Sequence, residues 1–190
     1  MICVADGLGG HKDGDVASRM AVKHISYSFC NLKNKFDVTK IIDSAHTIIQ
    51  SNNNESKDTL AMGTTIVGAI LKTKQCTIFN VGDSRAYLIN DQIITQVSVD
   101  HVSWGMYGPS IAQCLGGGFS LSPIPYVKTY DIVPGNQIIL VSDGVTDTVS
   151  DEKIMEIILD GEPLKAQRLC EEASQNGGGD DASIIIVYIR

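Results

Sequence analysis

Apolar residues in the first third of this chain recur at helical spacing. Val16, Ala17, Met20, Ala21, Ile25 and Phe29 mark one amphipathic helix, with Asp13 and Asp15 at its electropositive start. Ile41, Ile42, Ala45, Ile48 and Ile49 mark a second, which the polar run Ser51-Asn52-Asn53-Asn54 is expected to stop. From Gly63 the pattern changes to strands: Thr64 to Leu71, Cys76 to Val81, Ala86 to Ile89, then a tight Asn90-Asp91 turn into Ile93-Ile94-Thr95. The stretch from His101 to Pro125 is rich in Gly, Ser and Pro and reads as irregular, apart from a short piece near Ile111-Ala112. Strands resume over Val127 to Val133, turn at Pro134-Gly135-Asn136, and continue through Ile138 to Val141. Ser150 is placed to cap a helix carrying Ile154, Ile157, Ile158 and Leu159, and a further helix runs from Leu164 to Ala173 and ends at Gly177.

The final segment, Ala182 to Ile189, is apolar on successive positions, so both of its faces are expected to be buried. The short turns argue for antiparallel order. Two stacked antiparallel sheets with helices outside bury such strands on both faces, which predicts an α+β fold, a four-layer α-β-β-α sandwich.

Composition narrows the function. A chain of 190 residues with 43% hydrophobic content suits one domain, taken here as 1–190, with a core of its own. No apolar run approaches the ~20 residues that cross a bilayer, so no membrane partner is expected and a cytoplasmic monomer is the default. A net charge of −7 without a Lys/Arg cluster argues against nucleic acid. Handling phosphate against that bias calls for metal ions that reverse the local sign. The five cysteines, at positions 3, 30, 76, 114 and 170, form no C-x-x-C pair, and none precedes the phosphate loop of a cysteine-dependent phosphatase.

Carboxylates recur at strand ends. Asp6-Gly7 follows Ile2-Cys3-Val4-Ala5, Asp143-Gly144 follows Ile138 to Ser142, and Asp180-Asp181 lies between Gly177-Gly178-Gly179 and the final strand. Asp83, in Gly82-Asp83-Ser84-Arg85, and Asp100, in Asp100-His101, stand in the same context. If these strand ends meet at one edge of the sandwich, the like charges need a cation, and Mg²⁺ or Mn²⁺ suits carboxylate and carbonyl oxygens.

Six motifs then resemble, in order, those of the bacterial metal-dependent protein serine/threonine phosphatases of the PP2C (PPM) family. They are Val4-Ala5-Asp6-Gly7-Leu8-Gly9-Gly10-His11, Gly63-Thr64-Thr65, Asn80-Val81-Gly82-Asp83-Ser84-Arg85, Asp100-His101, Ser142-Asp143-Gly144-Val145-Thr146-Asp147 and Gly178-Gly179-Asp180-Asp181-Ala182-Ser183. The resemblance implies an active site of two Mn²⁺ or Mg²⁺ ions. In it Asp6 bridges both, the Gly7 carbonyl binds one, and Asp143 and Asp180 complete the other. Asp100 matches the ligand of a possible third, weaker cation. The implied reaction is direct hydrolysis of phosphoserine and phosphothreonine by a metal-bridging water, which makes Asp6, Asp143 and Asp180 the catalytic set. The implied substrate is a phosphoprotein of a Ser/Thr kinase pathway.

Around that set, Asp83 and Arg85 read mainly as a structural turn held by an Asp-Arg pair. Asp147 and Asp181 read as turn residues able to orient metal-bound water. His11 and a metal-bound water are the candidates for protonating the leaving oxygen.

Two departures qualify the resemblance. Family members begin with two strands that carry a phosphate-gripping Arg and an Asn-(Glu/Asp)-Asp metal segment, whereas this chain starts in the following strand, so a domain lacking its N-terminal strands is expected. The flap after Asp100-His101 is reduced to Val102 through Ser110, which is expected to open the cleft and alter substrate choice. The alternative to an active phosphatase is a catalytically impaired PP2C-like binding or regulatory module. A calcium-stabilised sandwich with acidic turns is the third reading.

Overall fold

The computed structural model describes residues 1–8, 13–31, 37–55, 61–106, 108–117 and 121–190. Its elements are β1 (Ile2–Val4), α1 (Gly14–Asn31), α2 (Val38–Glu55), β2 (Gly63–Thr64), β3 (Ile66–Leu71), β4 (Gln75–Val81), β5 (Arg85–Asn90), β6 (Ile93–Gln96), β7 (Val102–Gly105), β8 (Gly108–Ile111), β9 (Leu115–Gly116), β10 (Tyr126–Asp131), β11 (Gln137–Val141), α3 (Asp143–Thr146), α4 (Asp151–Leu159), α5 (Lys165–Gln175) and β12 (Ile184–Tyr188). One four-stranded antiparallel sheet has the order β1-β3-β4-β10, and the other the order β12-β11-β5-β6.

Three separate apolar clusters define four layers. Ala17, Ala21 and Ile25 of α1 and Ile42 and Ile49 of α2 pack on Ile66, Ile70 and Phe79 of the first sheet. Val67, Ala69 and Ile78 meet Ala86, Ile138 and Leu140 between the sheets. Ile139, Val141 and Tyr87 on the far face of the second sheet are covered by Ile154, Ile157 and Ile158 of α4 and Leu169 of α5. The side-chain alternation of β11, with Ile138 and Leu140 inward and Ile139 and Val141 outward, serves two of these cores at once. The sandwich read from the sequence is therefore the one observed.

Three local expectations are corrected. Helix α2 does not stop at Ser51: the Ser51 hydroxyl and the Asn52 amide return to the Thr47 and Ile48 carbonyls at 2.8 and 2.9 Å, and the helix runs to Glu55. The 101–125 stretch is more regular than expected, since β7 and β8 pair as a hairpin and β9 pairs with β2. Strand β12 is only half-buried along Ile184 to Val187, because it lies at a sheet edge with β11 as its one neighbour.

A buried polar chain ties the second sheet to α4. Arg85 Nη1 donates to the Tyr87 hydroxyl at 3.5 Å, and that hydroxyl donates to Asp151 Oδ1 at 2.7 Å, in the first turn of a helix that the Ser150 side chain caps. Tyr87 is fully buried, so Tyr87→Phe leaves Asp151 without this donor and is expected to cost about 1–2 kcal/mol, read as a lower urea midpoint at unchanged slope.

Candidate active-site cleft

Antiparallel order brings the acidic turns together. Val4 pairs with Val67 and Ile66 with Val81, so the exit of β1, the entry of β3 and the exit of β4 share one end of the first sheet. Val141 pairs with both Arg85 and Ile184, which puts the exit of β11 and the entries of β5 and β12 at one end of the second. Asp6, Asp83, Asp143 and Asp180 all follow or precede these ends.

Hydroxyl side chains fix each turn. Thr65 N donates to the Asp6 carbonyl at 2.8 Å, Thr64 Oγ1 to the same oxygen at 2.7 Å, and Asp6 N to Thr65 Oγ1 at 3.1 Å. Thr65 Oγ1 also bonds Ser84 Oγ at 2.7 Å, so the Gly63-Thr64-Thr65 motif joins the Asp6 turn to the Asp83 turn. Gly82 has φ +102, and a Cβ there would meet the Thr65 side chain at 2.7 Å. On the other sheet, Ser142 Oγ donates to the Asp181 carbonyl at 3.3 Å and accepts from Ser183 N at 3.0 Å, clipping the Asp180 segment beside Asp143. Gly144 permits that approach, since a Cβ on it would stand 2.5 Å from the Asp181 carbonyl oxygen.

The electrostatics report the convergence. Burial, a hydrogen bond shared with Asp143, and the charges of Asp143, Asp180 and Asp83 push the Asp6 carboxyl up from 3.8 to about 8. Burial and then the charge of Asp143 push Asp83 up to about 6, against the pull of its own backbone N–H. Asp147 is raised by burial and by Asp143, with Arg85 opposing. Asp143 is thus the carboxylate that its neighbours feel most consistently.

Two oxygens at this edge, Asp143 Oδ1 and Asp83 Oδ1, are buried without a hydrogen-bond partner. Among the described residues no three His, Cys, Asp or Glu side chains are gathered around one point in a way that could hold a metal ion. Carboxylate oxygens, two of them orphaned, beside a carboxyl whose pKa burial and neighbouring charges raise, are hard donors of the kind Mg²⁺ or Mn²⁺ accepts.

Arg85 does not pair with Asp83 as expected from the sequence. Its Nε and Nη2 both reach Asp100 Oδ2 at 2.8 Å, while Gln96 Nε2 donates to Asp100 Oδ1 at 2.7 Å. The partnership spans fifteen residues and depends on the β5–β6 pairing, so no local signal announces it.

Asp83, Arg85, Asp100, Asp143 and Asp147 line a cleft of about 670 Å³. Asp6 and Asp180 are not among its lining residues, although the charges of Asp180 and of the lining residues Asp143 and Asp83 reach Asp6. The opposite wall is the β7–β8 hairpin, through Val102, Trp104, Pro109 and Ile111. The short flap therefore builds a wall of its own, which the sequence reading missed. Its only signal was the sole tryptophan of the chain, placed between Ser103 and Gly105. His11 lies outside the described residues.

No helix of the described residues is long and apolar enough to cross a membrane. The model of protein phosphatase 2C matches residues 1–173. The serine/threonine phosphatase Stp of Listeria monocytogenes is 30% identical over 212 residues, covering 98% of this chain and 83% of that protein. Crystal structures of Mycobacterium tuberculosis PstP/Ppp and Staphylococcus aureus Stp1 superpose with TM-scores of 0.84 and 0.86 at 26% and 25% identity. They match 98% and 99% of this chain and 87% and 83% of theirs. A PstP catalytic domain solved with two manganese ions has a TM-score of 0.80 at 24% identity, over 99% of this chain and 87% of its own. Shared fold, family match and the convergent carboxylates agree, and the chain belongs to the protein phosphatase 2C family.

Proposed function

We propose that this chain is a metal-dependent protein serine/threonine phosphatase in which Asp6, Asp143 and Asp180, with the Gly7 carbonyl, hold two divalent cations, Mn²⁺ or Mg²⁺. The observation that carries this reading is the Asp6–Asp143 pair, two carboxyls from different sheets sharing one hydrogen bond, with Asp180 and Asp83 adding charge. When bound, the cations supply positive charge to the phosphoryl oxygens and make water a nucleophile at neutral pH. Three carboxylates do not fully offset two divalent charges, which leaves a positive surplus to receive a phosphate dianion. Asp83 and Asp147 stand by the same cleft and are suited to orienting water there.

Asp100 is proposed as a ligand of a third, weaker cation. Weak binding is the reading its partners support, since such a cation would compete with the Arg85 guanidinium and the Gln96 amide for the two carboxylate oxygens. The substrate is proposed to be a phosphoprotein of a Ser/Thr kinase pathway, dephosphorylated by a monomer.

The test pairs a titration with turnover. Calorimetry is expected to count two Mn²⁺ per chain, and phosphate release from a phosphothreonine peptide is expected to require Mn²⁺ or Mg²⁺ and to stop with a chelator. Chelator-insensitive release would overturn the metal centre, and two bound ions without release would favour a binding module.

A further inference from the structure

The β7–β8 hairpin separates its side chains cleanly by face. Val102 pairs with Ile111 and Trp104 with Pro109, so these four share one face, whereas Ser103 pairs with Ser110 and their hydroxyls bond at 3.1 Å on the other. All four apolar residues, together with Ser110, line the same cleft as the carboxylates, yet Trp104 is 80% exposed. A two-stranded ribbon has no core to bury such a face. Its position is nevertheless fixed: Ala112 N bonds the His101 carbonyl, His101 N bonds the Gly82 carbonyl, and Gly82 N donates to His101 Nδ1 at 3.1 Å. The hairpin base is thus tied to the turn that carries Asp83.

We propose that this face is a specificity wall that receives a large apolar side chain next to the phosphoserine or phosphothreonine, with Trp104 as its anchor. The inference rests on the phosphatase reading for the identity of the substrate. A basic neighbour is disfavoured as the occupant of this wall, because its lining side chains Val102, Trp104, Pro109 and Ile111 offer it no charge and Asp100, the carboxylate of the same cleft just before the hairpin, is already answered by Arg85. What the cleft leaves for a flanking residue is the apolar hairpin, and a rigid indole offers large contact area at low entropic cost.

The test uses two phosphothreonine peptides that differ only in Leu or Gly on both sides of the phosphothreonine, with Mn²⁺ present. The leucine peptide is expected to have a kcat/KM about tenfold or more above the glycine peptide. Trp104→Ala is expected to bring that ratio close to one, and Trp104→Phe to keep most of it. Because Trp104 is the sole tryptophan, its emission gives a readout independent of turnover. The same peptides carrying a non-hydrolysable phosphonate are expected to shift emission to the blue and to differ about tenfold in Kd. Equal ratios in wild type, or a ratio that survives Trp104→Ala, would overturn the wall; so would unshifted emission with equal or absent binding. Should neither phosphopeptide be hydrolysed while the Kd difference persists, the phosphatase reading fails and the wall stands.

Discussion

Replacing Asp143 with Asn is expected to lower kcat/KM on a phosphothreonine peptide by about a thousandfold or more while making the metal-free protein more stable. Both effects come from the same charge. Asp143 is among the causes of the raised carboxyls at Asp6, Asp83 and Asp147, so in the absence of a cation its carboxylate is a source of repulsion for three neighbours. An amide of the same shape removes that repulsion. It also removes the anionic ligand proposed at this position and turns an N–H₂ toward the proposed cation, where the Asp143 Oδ1 oxygen is buried without a partner. Losing several kcal/mol of transition-state charge stabilisation corresponds to a thousandfold, at about 1.4 kcal/mol per factor of ten. Opposite signs for activity and stability mark a functional site, in which local stability is given up for chemistry. Steady-state phosphate release and thermal melts in chelator measure the two quantities on one preparation. A variant less stable than wild type in chelator would show Asp143 to be a structural residue, and near-normal turnover would remove it from the metal centre.

The legible parts of this protein were those written in a local period. Val16 to Phe29 announced α1, and the apolar runs of β3 and β11 announced strands, whereas the burial on both faces expected of the final segment is only partial at its sheet edge. Asp-Gly at the ends of apolar strands pointed to Asp6 and Asp143, because the glycine that allows a close approach is itself visible, as at Gly144. What stayed hidden depends on pairing over distance. Arg85 could be seen beside Asp83 in sequence, but the strand at residue 85 turns its guanidinium to Asp100 and Tyr87. Tyr87 and Asp151 are sixty-four residues apart, and nothing in either neighbourhood announces their contact. The hairpin was missed for a different reason. Its four-residue strands contain Gly105, Gly108 and Pro109, residues that weaken a strand inside a sheet yet are tolerated in a ribbon with two free edges.

The metal-free protein is expected to lose stability as pH rises from 7 to 8, and saturating Mn²⁺ or Mg²⁺ is expected to reverse the loss. The sign follows from Asp6. Its carboxyl titrates at about 8 in the folded chain against 3.8 ordinarily, so between those values the folded state holds a proton that the unfolded state has released. Stability that depends on a proton bound only in the folded state falls as pH rises through the folded value. Asp83, raised to about 6, adds its loss lower in the range. His24, His46 and His101 are all held below 6.5 by burial, so their contribution runs the other way and is spent below neutral pH. The window from pH 7 to 8 therefore isolates Asp6. One pH unit of a fully linked proton is about 1.4 kcal/mol, and solvent screening at this half-buried site trims it to roughly 1 kcal/mol, or about 2–4 °C in Tm for a domain of this size. A cation takes the proton's place and stabilises by mass action, about 2.7 kcal/mol for each site at a hundred times its Kd, so two filled sites at pH 8 are expected to raise Tm by on the order of 10 °C. Asp6→Asn carries no titrating group there, and its melts in chelator are expected to be flat from pH 7 to 8 with most of the metal response gone. Scanning calorimetry in chelator and in millimolar Mn²⁺ decides the matter, since a wild-type Tm that stays level or rises across that window would mean that Asp6 and Asp143 do not share a proton.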